Sequence, residues 1–299
     1  MHRDEFRIIK MCEVLKVSTS GYYKWRGKEK SVAQETKEKR KGHITRIFHE
    51  FKKVYGSPRI AKELEKTGKT LSTKTVARYM KELGINALYP RRYTVTTNSN
   101  HDDPIYPNLL KRQFEAQYPN QIWGADITYI WTSEGWIYLA SIMDLFSRKI
   151  VGWNIDKTLT KDLVLVALDR ALTFRSPSDG LIHHSDRGSQ YASNEYTQIL
   201  DEQNIKISMS RKADPYDNAC IESFHATLKK ELVYRVKFKT RAEAKSAVWN
   251  YISGFYNEKR SHSTLNYLSP NQFERLHKEA KRKNTLHSPT TFGDGQLAP

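Results

Sequence analysis

Cysteine is nearly missing from this chain. Only Cys12 and Cys220 occur in 299 residues, far apart and outside any CxxC spacing. That excludes a disulfide-stapled scaffold and a cysteine-built zinc site, and makes a reducing cytosol the expected compartment. Long apolar runs are missing too: none approaches the ~20 residues of a membrane span. The opening "MHRDEFRIIKMCEVLKV" is charged and has neither the apolar core nor the small-residue cleavage site of a secretory signal. Acidic residues are scarce in the front third. Residues 1–100 hold 24 Lys and Arg against 10 Asp and Glu, whereas the remainder holds 26 against 23. The net charge of +17 is therefore carried mostly by the front. A basic front beside a nearly neutral back fits a polyanion-gripping module joined to a globular one, with nucleic acid as the expected polyanion. A membrane surface fits less well, because the basic residues lie within helical patterns rich in other polar residues.

Residues 5–29 read as two short helices, the second opened by the Ser/Thr-rich "STSGYYKW". The charged stretch that follows reads as a helix or a solvated connector. Residues 43–85 form the clearest helical unit. Ile44, Ile47, Phe48 and Phe51 make one apolar stripe, Ile60 and Leu64 a second, and Val76, Tyr79, Met80 and Leu83 a third. Gly56, Gly68 and Gly84 punctuate the unit, and Ser72 is the candidate cap of its last helix. Three short helices ending in "STKTVARYM" resemble a helix-turn-helix, whose final helix would direct Lys74, Arg78 and Lys81 at DNA phosphates or base edges. An ordinary small bundle with a solvated basic face is the plain alternative. Residues 1–90 are thus expected to form a helical DNA-binding region. Residues 91–119, with three prolines and little periodicity, read as a linker.

From residue 121 the pattern turns to strands. "IWGADITYIW" alternates, with Trp123, Ala125, Ile127 and Tyr129 on one side and Gly124, Asp126 and Thr128 on the other. Two more strands follow as a meander. Then come the helix "TKDLVLVALDRALTFR", the strand "GLIHHSD", the helix "SNEYTQILDEQN", the strand "IKISMS" and a helix begun by Asp217 or Asn218. The order β-β-β-α-β-α-β-α predicts an α/β fold over residues 120–278, a mixed five-stranded sheet with helices on its faces. Residues 279–299 read as a disordered tail.

Three acids stand at informative places in that order. Asp126 lies within the first strand, opposite its large apolar side chains. Asp186 lies at the carboxyl end of the fourth, where open α/β sheets place their sites, followed by Gly188 for a sharp turn. Glu222 falls in the first turns of the last helix, 36 positions after Asp186. If the first and fourth strands are neighbours and the helix crosses their ends, the three converge. Three adjacent anions repel one another, so cations normally fill the gap, and oxygen-only ligands select Mg2+ or Mn2+. Two such ions suit in-line phosphoryl transfer. Each acid alone also has an architectural reading, as a turn, cap or first-turn residue. Lys229, two turns beyond Glu222 on the same helix face, would hold a phosphate beside the site or be merely solvated. Adjacent strand residues point to opposite faces, so His183 and His184 do not easily share an ion; one of them is expected to be packed or hydrogen-bonded near the site.

The blocks "WGADITYI", "GWIYLASIMDLFSRKIVGW", "LIHHSDRGSQYAS", "SRKADPYDNACIESFHATLKKE" and "YISGFYNEKRSHSTLNYLSP" resemble, in order, those of bacterial insertion-sequence transposases with a retroviral-integrase-like core. The likeness is strongest to the second-reading-frame (OrfB) product of two-frame elements, and it covers residues 5 to about 275. It implies a ribonuclease-H-like core with an Asp-Asp-Glu triad falling on Asp126, Asp186 and Glu222, and a basic residue on Lys229; the expected cofactors remain two divalent cations, Mg2+ or Mn2+. The "YN-x-x-R-x-H" block falls on Tyr256, Asn257, Arg260 and His262, for DNA contact or completion of the core. Ser261 stands where proline is frequent, and "KADPYDNA" replaces a glycine-containing turn. The resemblance also implies a first-frame partner, joined by frameshifting, that supplies a second helix-turn-helix and a coiled coil.

The expected function is a DNA transposase of the bacterial cytoplasm, acting as a homo-oligomer on DNA. It would cleave beside an element end and join the freed 3′-hydroxyl to another phosphodiester. The rivals are a ribonuclease-H-like nuclease and a non-catalytic DNA-binding regulator of the element.

Overall fold

The computed structural model describes residues 5–27, 29, 31–87, 104–211 and 214–286. The chain divides into two compact units, Met1–Ala87 and Leu88–Pro299.

The first unit is all-helical: α1 (Ile8–Val14), α2 (Thr19–Arg26), α3 (Val32–Glu50), α4 (Ser57–Lys66) and α5 (Thr73–Glu82). Serines start three of them. Ser18, Ser31 and Ser72 each accept, through Oγ, a backbone N–H three residues on, which satisfies a donor the helix leaves open. Gly68 and Gly84 follow the ends of α4 and α5 at φ of +74° and +65°, the left-handed turn a side chain resists. The stripes meet as their spacing predicts: Ile44, Ile47, Phe48, Ile60, Leu64, Val76, Tyr79 and Met80 are all buried. Lys37 and Lys41 of α3 both reach Glu82 of α5, each at 2.8 Å, joining the two helices at the surface.

The second unit is built on a sheet. β1 (Ile122–Thr132), β2 (Gly135–Asp144) and β3 (Lys149–Asp156) form an antiparallel meander. α6 (Lys161–Arg175), β4 (Ile182–Ser185), α7 (Ser189–Ala192), α8 (Asn194–Glu202), β5 (Lys206–Met209) and α9 (Ala219–Glu231) follow. β4 and β5 join in parallel, giving the order β3-β2-β1-β4-β5. This is the mixed five-stranded sheet expected from the element order. On one face Trp123, Ala125, Ala140 and Ile142 pack with Leu163, Ala167 and Ala171 of α6 and with Tyr196 and Leu200 of α8. Gly152 makes the approach of α6 possible, because a Cβ there would lie 2.3 Å from the Ala167 carbonyl oxygen. α9 covers the other face at Gly124, where Ile221 is a neighbour. α10 (Arg241–Trp249) also packs on β1 and β2, passes into a π-helical turn over Asn250–Tyr256, and is followed by α11 (Pro270–Leu286).

Two expectations change here. The segment read as a linker is, from residue 104, part of the second unit. Leu110 is buried, Leu109 donates its N–H to Ser208 Oγ (2.9 Å), and Pro107 O receives the Met209 N–H at the end of β5. The tail read as disordered is helical as far as Leu286, because α11 runs on from Pro270. Residues 91–103 of the expected linker and 287–299 of the expected tail lie outside the described residues.

Candidate active site

Register places the first two acids. β1 and β4 run parallel with Gly124 opposite His184; Asp126 follows two residues on within β1, and Asp186 follows directly after the end of β4. Asp126 lies on the α9 face by the alternation of β1. Asp186 leaves the end of β4 in a tight turn, its Oδ1 accepting the Gly188 N–H at 2.9 Å. The third acid arrives on α9, whose start is tied to β1 beside Asp126: Asn218 Nδ2 donates to the Ala125 carbonyl at 3.0 Å.

The charges of the first two acids bear on the third. Burial, and then the negative charges of Asp126 and Asp186, push the Glu222 carboxyl up to about 7. On the same face of α9, seven residues on, Lys229 is half-buried. Burial lowers its ammonium pKa, and the nearby Asp126 charge opposes that shift. Between them, His225 is 5 % exposed and donates from Nδ1 to Asp126 Oδ2 at 3.1 Å. Glu222, His225 and Lys229 are thus one stripe at i, i+3 and i+7. His225 went unnoticed in the sequence, although its spacing between the other two was a signal. Among the described residues no group of three or more His, Cys, Asp or Glu side chains is gathered into a ready-made metal cage. The donor chemistry nonetheless fits a hard cation: the charges that raise the Glu222 carboxyl are those of two further carboxylates.

The histidines of the fourth strand are architecture, and both of them are, rather than one. His183 Nε2 meets Tyr196 Oη at 3.0 Å, and burial pushes the ring down to about 3. His184 uses both ring nitrogens, one with Ser208 Oγ (2.8 Å) and one with the Asp217 carbonyl (2.9 Å). That leaves no ring nitrogen of His184 for an ion.

The late block divides in the same way. Arg260, expected at DNA, is 5 % exposed and makes a close ion pair with Glu231, Nη2 to Oε1 at 2.8 Å and Nε to Oε2 at 2.9 Å. A guanidinium so enclosed has no surface to offer a phosphate, and the expectation is corrected. His262 packs its ring edge against Tyr256, centroids 4.9 Å apart, with Nε2 at 3.4 Å from Arg260. Asn257 donates to and accepts from the backbone of Ile150 on the outer strand β3, both at 3.0 Å. The block completes the core. In the first unit Lys74, Arg78 and Lys81 are exposed along one side of α5, and Arg78 lies over the Tyr79 ring.

Residues 116–215 match the family described as Integrase core domain, residues 203–270 match a second family of that description, and residues 34–93 match an HTH-like domain. Over 271 residues the chain is 43 % identical to the "Insertion element IS600 uncharacterized 31 kDa protein" of Shigella sonnei, covering 90 % of this chain and 100 % of that one. Over 275 residues it is 40 % identical to "Transposase InsF for insertion sequence IS3A" of Escherichia coli K12, covering 91 % and 96 %. Among solved structures, a chain of a simian T-cell lymphotropic virus intasome is similar with a TM-score of 0.45 and 19 % identity, covering 80 % of this chain and 78 % of that one. The HTLV-2 integrase catalytic core in complex with magnesium is similar with a TM-score of 0.42 and 18 % identity, covering 54 % and 99 %.

Proposed function

The chain belongs to the insertion-sequence transposases with an integrase core, enzymes of DNA transposition, and we propose that its catalytic acids are Asp126, Asp186 and Glu222. The observation that carries this is the electrostatic cluster: three carboxylates from a strand, the turn after a second strand and a helix, with the charges of two acting on the third. When bound there, two divalent cations, Mg2+ or Mn2+, would polarise the scissile phosphodiester and make the attacking hydroxyl a better nucleophile. The three acids hold them as hard-oxygen ligands. Lys229 binds a phosphate of the DNA strand at the same helix face. Water first cleaves a phosphodiester at the element end, releasing a 3′-hydroxyl; that hydroxyl then attacks a phosphodiester of the target, and the target's own 3′-oxygen leaves.

Lys74, Arg78 and Lys81 contact DNA in the first unit, holding the element's terminal sequence. The working form is a homo-oligomer on DNA in the bacterial cytoplasm, completed by the first-frame product or by fusion to it.

The test is a strand-transfer assay on labelled DNA carrying the element's ends, with the chain and with its first-frame fusion, in Mg2+, Mn2+ or EDTA. Metal-dependent joined products are expected, and Glu222→Gln is expected to abolish them while DNA binding persists. Joining by Glu222→Gln at the normal rate, or DNA binding lost along with joining, would contradict the assignment. Cleavage of RNA–DNA hybrids without joining would favour a nuclease.

A further inference from the structure

Asp126 is held by a hydrogen-bonded chain that runs into the core. His225 Nδ1 lies 3.1 Å from Asp126 Oδ2, and His225 Nε2 lies 2.6 Å from Ser141 Oγ. Ser141 is fully buried on β2, directly opposite Asp126 in the antiparallel register, so both side chains rise from the same face toward α9. A carboxylate accepts, so Nδ1 carries the proton of this bond, and Nε2 bonds the Ser141 hydroxyl. The order is Ser141 Oγ, His225 Nε2, His225 Nδ1, Asp126 Oδ2. Each group has its partner, and the ring is buried with a hydrogen bond at each nitrogen.

We infer that His225 is a positioning residue for Asp126: it occupies Oδ2 and thereby presents Oδ1 to a cation. His225 does not act as a ligand itself, since both ring nitrogens are engaged within the protein. This is the arrangement in which outer partners orient a ligand and tune its affinity. It also links the pieces of the site mechanically. Glu222 and His225 are one turn apart on α9, so a shift of the helix moves Glu222 and the hold on Asp126 together. The inference rests on the reading of Asp126 as a cation ligand.

The experiment follows Mn2+ binding to the full chain through the electron paramagnetic resonance signal of the free ion. Wild type, Glu222→Gln, His225→Leu, His225→Asn and Ser141→Ala are compared, with metal-free melting as the check on folding. His225→Leu is expected to bind Mn2+ about tenfold or more weakly. His225→Asn sets an amide N–H near the place of Nδ1 and is expected to recover most of the affinity. Ser141→Ala keeps the ring and loses only its anchor, so a smaller, severalfold loss is expected; it also serves if the leucine variant does not fold. Wild-type affinity in His225→Leu, or in Ser141→Ala where the leucine variant does not fold, would overturn the inference, as would an asparagine variant no better than leucine. If wild type and Glu222→Gln bind Mn2+ equally, the assignment of the acids fails instead.

Discussion

Asp217 and Glu222 are five residues apart on the same chain segment, and their surroundings are opposite. Asp217 is fully buried and receives Arg211 through its backbone N–H, Nε and Nη2, Arg112 through Nε, and Asn108 through Nδ2. These donors, Arg211 first, hold its carboxyl well below the usual carboxylate range. Glu222 faces two further acids and is pushed up to about 7. The first acid is neutralised by the protein and ties Asn108, Arg112 and Arg211 to the start of α9. The second is left unneutralised. Glu231, at the far end of the same helix, belongs with Asp217: Arg260 and the Tyr251 hydroxyl (2.7 Å) answer it. An acid the chain pairs with its own cations is architecture, whereas one set against like charges is where a cation from outside is called for.

Variants should break this contrast in a graded order. Glu222→Gln is expected to lower strand transfer about a thousandfold or more, the equivalent of ~4 kcal/mol of barrier. Its metal-free melting temperature should hold or rise, because one of three repelling charges is gone. Arg260→Ala strands Glu231 in the core and should cost about 3–5 kcal/mol in denaturant unfolding. DNA affinity of the folded fraction should not change, and a selective loss of DNA affinity would restore the reading of Arg260 as a DNA contact. Asp217→Asn should cost less, about 2 kcal/mol, because Arg112 and Arg211 are half-exposed and partly screened by water. Lys74→Ala, Arg78→Ala and Lys81→Ala in α5 should each reduce the log–log salt slope of DNA binding by about 1 with the fold unaffected; an unchanged slope would make that face merely solvated.

The contrast also explains what could be read in advance. Alternation within "IWGADITYIW" put Asp126 opposite Trp123 and Ala125, and a helical count put Lys229 on the face of Glu222, because both periods are local. The partner of a charge is not local. Arg260 pairs with a glutamate 29 residues earlier, and Asn108 and Arg112 bond to an aspartate more than a hundred residues later. A proline-bearing segment whose anchors to the sheet and to Asp217 are distant therefore reads as a linker, and a buried arginine reads as a DNA contact. Residues 279–286 show the reverse difficulty. They carry little apolar periodicity, yet extend a helix begun at Pro270, whose Glu274 accepts Arg175 Nη2 at 2.8 Å.

The most direct test of the central claim is thermal melting of the wild type and Glu222→Gln, with and without Mg2+, at pH 5 and pH 8. Without a cation, the folded state holds a proton on Glu222 up to about pH 7, while the unfolded chain releases it near 4.5. The stability this proton supplies is complete below about pH 4.5 and is lost as the pH rises through 7. A cation takes the proton's place, so Mg2+ should raise the wild-type melting temperature clearly at pH 8 and little at pH 5, and Glu222→Gln should gain little at either. Equal gains in the two proteins at pH 8 would mean that the ion binds elsewhere, and that these three acids are not the metal site.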